Sequence, residues 1–251
     1  MITMIMHGCN GKMGQVITSM AEADETLSIV AGIDINNTQM SSYPVFKSLE
    51  ECTVKADVIV DFANAKAVDG LLDYCERTHT PVVLCTTGLS QEQLERVNQV
   101  AESTAVLRSA NMSLGINLLL KMVKEAAATL YPAGFDIEIV EKHHNQKVDA
   151  PSGTAIALAD SMNEAMDQAF TYKYDRSQVR VKRERQEIGI SAVRGGSIVG
   201  EHDVIFAGQD EVITFSHTAY SKTIFAKGAV EAAKFLAGKE PGLYDMSAVI
   251  G

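Results

Sequence analysis

The sequence predicts an α/β protein: a Rossmann-type parallel-sheet nucleotide domain followed by a segment of α+β character. Three observations predict it. Through the first half, near-continuous apolar strands alternate with amphipathic helical segments, the pattern of a parallel sheet covered on both faces. A glycine-rich turn, Gly8-Cys9-Asn10-Gly11-Lys12-Met13-Gly14, follows the first strand, and an acid, Asp34, ends the second. From about Gln186 the chain changes to alternating strands joined by glycine turns, a sign of antiparallel pairing.

Ile2 to His7 reads as the first strand, Gln15 to Ala23 as the first helix and Leu27 to Ile33 as the second strand. Strand, glycine turn, helix, strand and acid form the opening unit of a dinucleotide-binding fold. The glycines allow a tight turn and let the backbone from Gly8 to Met13 approach a pyrophosphate at the helix N-terminus. Asn10 holds the place of the fingerprint's second glycine, and asparagine tolerates a left-handed backbone. Asp34 is placed to accept hydrogen bonds from an adenosine ribose. A strand from Ala56 to Phe62, a helix from Ala63 to Thr78 and a strand from Pro81 to Cys85 follow. Thr86-Thr87-Gly88 is a turn, Ser90 caps a helix from Gln91 to Ser103, and Ala105 to Ser109 is the next strand. Ligands on such sheets lie beyond the strand C-terminal ends, where Thr86, Thr87, Ala110 and Asn111 fall.

Ser113 caps a long helix, Leu114 to Leu130, whose Met and Leu stripe is core. Phe135 to Val140 is a strand, and the eight residues after Glu141 hold two His, two Lys and an Asp. Pro151-Ser152-Gly153-Thr154 then opens a helix reaching about Ala169, and such an N-terminus is an anion site. Two imidazoles and an ammonium beside it bind carboxylates and move protons. A solvated polar loop is the competing reading of that stretch. Residues 170–185, rich in Arg and Lys, read as a mobile solvated loop. Gln186 to Val193, Ser197 to Ala207 and Glu211 to Ala219 read as an antiparallel meander turning at Gly195-Gly196 and Gly208-Gln209-Asp210. Lys222 to Ala237 is the last helix.

Composition narrows the function classes. The 251 residues carry 22 basic and 32 acidic side chains, a net charge of −10, so no basic footprint for nucleic acid or an anionic membrane exists. An anionic ligand must be held by a local cationic pocket. The 4 cysteines show neither metal-type spacing nor scaffold density, and free thiols in a reducing cytoplasm are expected. The N-terminus lacks signal-peptide character, and no apolar run is long enough to span a bilayer. His143 and His144 are adjacent and have no evident third ligand, so no metal is expected.

Glu141 to Ala155, with its His143-His144-x-x-Lys147-x-Asp149-Ala150-Pro151-Ser152-Gly153-Thr154-Ala155 run, resembles the signature of the dihydrodipicolinate reductase family. The glycine turn resembles that family's Gly-x-x-Gly-x-Met-Gly, and Val193 to His202 its Val-Arg-x-Gly-x-Ile-Val-Gly-Glu-His. Cys85-Thr86-Thr87-Gly88 and Ala110-Asn111-Met112-Ser113 resemble its two further cofactor loops, with Cys85 and Met112 replacing Gly and Phe. Ser109 precedes the second of these loops. The resemblance implies residues 1–113 plus 222–251 as the dinucleotide-binding domain and 114–221 as a substrate-binding domain that builds a homotetramer. It also implies reduction of 4-hydroxy-tetrahydrodipicolinate, a small cyclic dicarboxylate, by NADH or NADPH in lysine and diaminopimelate biosynthesis.

That chemistry requires a proton donor and cations for two carboxylates. His143 suits the donor, since imidazole titrates near neutral pH. His144 suits a substrate carboxylate, and Lys147 is either a second proton donor or a carboxylate anchor. Gly153 and Thr154 offer donors to the other carboxylate. Beyond Asp34, Ile35-Asn36-Asn37 lacks an Arg for a 2′-phosphate, which Lys12 in part replaces, so NADH is expected to serve at least as well as NADPH. His7, His79, His202 and His217 are given no catalytic role. A nucleotide-sensing module that kept the fold would have a damaged catalytic stretch. A semialdehyde or sugar dehydrogenase would carry a catalytic Cys or a Lys-Pro pair.

Overall fold

A computed structural model describes residues 1–167 and 169–251. In chain order the first elements are β1 (Ile2–His7), α1 (Lys12–Glu22), β2 (Leu27–Ile33), β3 (Val45–Phe46) and β4 (Val58–Asp61). A 3-10 turn (Ala65–Ala67) leads into α2 (Val68–Thr78), β5 (Val82–Leu84), α3 (Gln91–Ala101) and β6 (Ala105–Arg108). Then come α4 (Leu114–Leu130), β7 (Asp136–His143), α5 (Gly153–Glu164), β8 (Thr171–Tyr174), β9 (Glu187–Arg194), β10 (Gly200–Ala207) and β11 (Val212–Ala219). The chain closes with α6 (Thr223–Leu236), β12 (Gly242–Tyr244) and α7 (Met246–Ile250). Two compact units result, Met1–Leu114 with Thr223–Gly251, and Gly115–Lys222.

The first unit holds a wholly parallel seven-stranded sheet in the order β12-β6-β5-β4-β1-β2-β3. The order reverses at β1, the switch point at which such sheets bind ligands. Alternation along β1 feeds two cores. Met4 and Met6 pack toward α1 and α6, with Ile17, Ala229, Ala233 and Leu236. Ile5 packs on the other face with Leu71, Leu72 and Cys75 of α2 and Val97 and Val100 of α3. Ser90 caps α3 in a full capping box with Gln93. The first helix starts three residues earlier than its apolar periodicity indicates. Gly11 is extended (φ −71, ψ 166) and serves as its N-cap, so the last residues of the glycine turn form its first turn. The two-residue β3 and the three-residue β12 at the sheet edges carry too little pattern to be read from sequence.

The second unit holds a five-stranded mixed sheet, ordered β11-β10-β7-β9-β8. The expected meander is corrected here. Only β10 and β11 are antiparallel neighbours in sequence order, while β7 lies between β9 and β10, parallel to the first and antiparallel to the second. The cause is burial. Glu187 to Ile190 of β9 are all buried, a run that fits an interior strand, and β7 and β8 flank it. Helices α4 and α5 cover one face, packing Leu119, Val123, Leu158 and Met162 onto Ile137, Ile139, Ile190, Val204 and Phe206. Residues 170–185 are likewise corrected from a solvated loop, since Thr171 to Tyr174 form a strand. Arg183 then pins the following segment to β7 through Asp136 (3.0 Å), Glu138 (2.9 Å) and the Ile137 carbonyl (2.9 Å). No helix among the described residues is long and apolar enough to cross a membrane.

Candidate active site

In the first unit, Gly8 adopts φ +83, and a Cβ there would meet the Phe62 carbonyl oxygen at 2.8 Å. A Cβ on Gly14 would lie 2.3 Å from the Gly8 carbonyl oxygen and 2.5 Å from that of Cys9. Both are backbone clashes, so the turn exists only with glycine at these points. It leaves the first N–H groups of α1 without a side-chain cap, beside exposed Gly11 and Lys12. That is a backbone cradle with positive potential, the form a pyrophosphate requires. Cys9 contributes backbone only. Its side chain is buried in the core, and burial with nearby Asp34 raises its thiol to about 11.

A cleft of about 410 Å³ opens beside the turn, lined by His7, Gly8, Gly11, Asp34, Lys47 and Lys66 among others. Asp34 accepts the Asn10 N–H (3.0 Å) and the Asn36 N–H (3.0 Å). The Asn10 side chain reaches the carbonyls of Asn36 and Thr38 (2.5 and 2.9 Å), so the turn and the loop after β2 are sewn together. Lys47 and Lys66 were missed by sequence reasoning because they come from separate loops. His7 Nδ1 lies 2.7 Å from Oδ1 of fully buried Asp61, a pair with no motif to announce it. Around the later strand ends, Thr86 is buried and Thr87 exposed, while Cys85 packs against the core. Ser109 and Asn111 are half-buried and Ala110 exposed; Met112 sits in the core at 5% exposure.

In the second unit, β7 runs through His143 itself, because Glu141 to His143 pair with Ala192 to Arg194 of β9. Residues 141 and 143 therefore share a face. Both are buried, Glu141 completely. Lys142 points to the opposite face and is spent on Glu201 (2.9 Å) and Asp203 (3.3 Å) of β10. His143 Nδ1 lies 2.6 Å from Glu141 Oε2. Arg194 brackets the same carboxylate at 2.7 and 2.6 Å, and the Ser152 N–H donates to it at 2.9 Å. Burial pushes the Glu141 carboxyl up, but these hydrogen bonds outweigh it and hold the group below the usual carboxylate range. Ser152 also caps α5, its hydroxyl accepting from Ala155 N–H (3.2 Å) and bonding His202 Nε2 (3.0 Å). The His202 ring meets that of His143 edge to face at 5.2 Å.

Exposed Gly153 and half-buried Thr154 begin α5. Lys147 Nζ lies 2.8 Å from Asp149 Oδ1, and His144 is half-buried at the end of β7. Lys147 and the Gly153 N–H hold the Asp149 carboxyl below its ordinary range. Thus His143, His144, Lys147, Gly153 and Thr154 share one region of one unit. Glu141, Arg194, Ser152 and His202 complete it and were not singled out from the sequence. The available signal was the pair of family-like runs, Glu141 to Ala155 and Val193 to His202, which contain all four. Among the described residues no three His, Cys, Asp or Glu side chains are grouped to hold a metal.

Buried His202 makes an acid-stability prediction. Burial, helped by His143, lowers its ring from 6.5 to about 4. Between those values the unfolded chain takes a proton that the folded chain refuses. The stability from neutral His202 is therefore whole above about pH 6.5 and lost as pH falls toward about 4, about 3 kcal/mol in total. Denaturant midpoints from pH 4 to 7 are expected to fall less steeply in His202→Gln than in the native protein. Parallel curves would mean that His202 protonates freely in the fold.

Family models for "Dihydrodipicolinate reductase, N-terminus" and "Dihydrodipicolinate reductase, C-terminus" match residues 2–112 and 115–250. The chain is 51% identical over 250 residues to a 4-hydroxy-tetrahydrodipicolinate reductase of Caldanaerobacter subterraneus subsp. tengcongensis, covering 100% of this chain and 98% of that protein. It is 49% identical, with the same coverage, to the reductase of that name from Clostridium novyi. Among solved structures it is similar to a dipicolinate-bound dihydrodipicolinate reductase from Paenisporosarcina sp. TG-14. The TM-score is 0.81 at 27% identity, covering 98% of this chain and 97% of that one.

Proposed function

The chain belongs to the dihydrodipicolinate reductase family and reduces 4-hydroxy-tetrahydrodipicolinate with NADH or NADPH in lysine and diaminopimelate biosynthesis, and we propose that His143 delivers the proton of that reaction. The observation that carries this assignment is the fixing of His143 Nδ1 on buried Glu141. Among the described residues Nε2 has no hydrogen-bond partner, and it is not a buried atom, so it keeps contact with solvent. The reaction consumes one hydride and one proton and releases water. The nicotinamide, when bound, supplies the hydride. In the proton step the Nε2–H bond breaks, a bond from that proton to the substrate forms, and imidazolium becomes neutral imidazole. Lys147, His144 and the N–H groups of Gly153 and Thr154 hold the two carboxylates. Lys147 and the Gly153 N–H must exchange Asp149 for substrate to do so.

Residues 1–113 plus 222–251 act as the dinucleotide-binding domain in this reading. Gly8, Cys9, Asn10, Gly11, Lys12 and Met13 hold the pyrophosphate, and Asp34 holds the adenosine ribose. Cys85, Thr86, Thr87, Ser109, Ala110, Asn111 and Met112 shape the remaining cofactor contacts. Residues 114–221 bind substrate and build a homotetramer through the sheet face that α4 and α5 leave uncovered. The working compartment is the cytoplasm, where four free thiols stay reduced. Sedimentation of the purified protein tests the tetramer.

The reaction is tested by NADH oxidation when aspartate semialdehyde and pyruvate are condensed in situ by the preceding enzyme. Folded protein that is inactive with both cofactors overturns the assignment. Asp34→Ala is expected to weaken both cofactors, because Asp34 also fastens the Asn10 backbone at 3.0 Å. NADH is expected to suffer more, since the 2′-phosphate of NADPH loses a repulsive neighbour. Fluorescence titrations giving equal losses would place Asp34 away from the ribose.

A further inference from the structure

The donor assigned above sits on a buried assembly whose other members have no place yet in the reaction. Glu141 is fully buried and accepts four hydrogen bonds: from His143 Nδ1 (2.6 Å), from both terminal nitrogens of Arg194 (2.7 and 2.6 Å) and from the Ser152 N–H (2.9 Å). A buried carboxylate persists only when it is paired and its lone pairs are used, and here all are. Arg194 stands opposite His143 in the β7–β9 register, and its side chain also donates to the Asp149 carbonyl at 2.6 Å. On the other flank Gly200 begins β10, and a Cβ there would come 3.1 Å from His143 Nε2. The ring is thus gripped at Nδ1, and glycine at position 200 leaves no side chain there to crowd Nε2.

We propose that Glu141, clamped by Arg194, is a positioning residue for the reduction. It fixes the His143 ring with its proton-bearing Nδ1 inward and aims Nε2 at the substrate. The inference rests on the reading of His143 as donor. Its chemistry follows from the hydrogen bond. Neutral His143 must carry its proton on Nδ1, so the second proton, the one delivered, always leaves from Nε2. The charged or titratable groups around His143 are Glu141 on its own strand, Arg194 on β9, His202 on β10, and Lys147, Asp149 and His144 in the loop toward α5. Among the described residues Glu141 is the one acid bonded to the ring.

The test is a double-mutant cycle with Glu141→Gln and His143→Ala. Glu141→Gln is expected to lower kcat about ten- to a hundredfold, with KM and NADH affinity within about twofold. Glu141→Asp is expected to recover part of the rate. In the His143→Ala background, Glu141→Gln is expected to cost nothing further. Equal losses in both backgrounds would make Glu141 merely structural and overturn the proposal. If His143→Ala itself keeps its turnover, the donor assignment fails instead, a distinct result. Nitrogen NMR of the histidines of unaltered protein covers the case in which the variants do not fold. Neutral His143 is expected as the Nδ1–H tautomer, and an Nε2–H tautomer would overturn the proposal.

Discussion

His143→Ala is expected to lower turnover about a hundred- to ten-thousand-fold, the usual loss when a general acid is removed. Substrate affinity is expected to stay near normal, because proton donation strengthens mainly in the transition state. NADH binding is expected to survive, since the cleft holding Gly8 and Asp34 belongs to a different compact unit. Fold is also expected to survive. The truncation leaves Glu141 with Arg194 and Ser152 as partners, so the buried charge stays paired. Steady-state kinetics with freshly condensed substrate check the result. If the variant keeps most of its kcat, the donor role passes to Lys147.

Lys147→Ala is expected to raise KM about ten- to a hundredfold, with a smaller fall in kcat. A charge-assisted bond to a carboxylate operates in ground and transition states alike and is worth roughly 1.5–3 kcal/mol. The present partner of Lys147 is Asp149, at 2.8 Å, with the Asp149 side chain 58% exposed. A pair this exposed is weak, so a substrate carboxylate can displace it at little cost. Lys147→Arg is not expected to restore activity, because a planar guanidinium cannot reproduce a compact ammonium. Inhibition by pyridine-2,6-dicarboxylate gives an independent reading of the same contact. A large loss of kcat with KM unchanged would identify Lys147 as a proton donor in place of an anchor.

Much of this site is legible along the chain because its residues are close in sequence. Gly8 to Gly14 form one turn, and His143 to Thr154 span one strand end, one loop and one helix start. Turn chemistry, a helix N-terminus and clustered imidazoles are short-range features. The hub that organises the second region was not legible. Glu141 and Arg194 each lie in a run that resembles the family, but nothing along the chain shows that one clamps the other. Lys142, equal to Lys147 by composition, faces away and serves ion pairs with Glu201 and Asp203.

The sequence by itself determined the fold class, the glycine turn, the gathering of His143, His144 and Lys147 ahead of a helix start, and the family they resemble. Each is written in local periodicity or fixed spacing, which depends on neighbours a few residues away. Only the tertiary structure decided that β7 separates β9 from β10, that residues 171–174 form a strand, and that Arg194 reaches Glu141 behind His143. These are matters of register between distant segments. A strand's alternation states which side chains turn inward, but which strand lies beside it is set by the burial that the whole sheet and its helices achieve together.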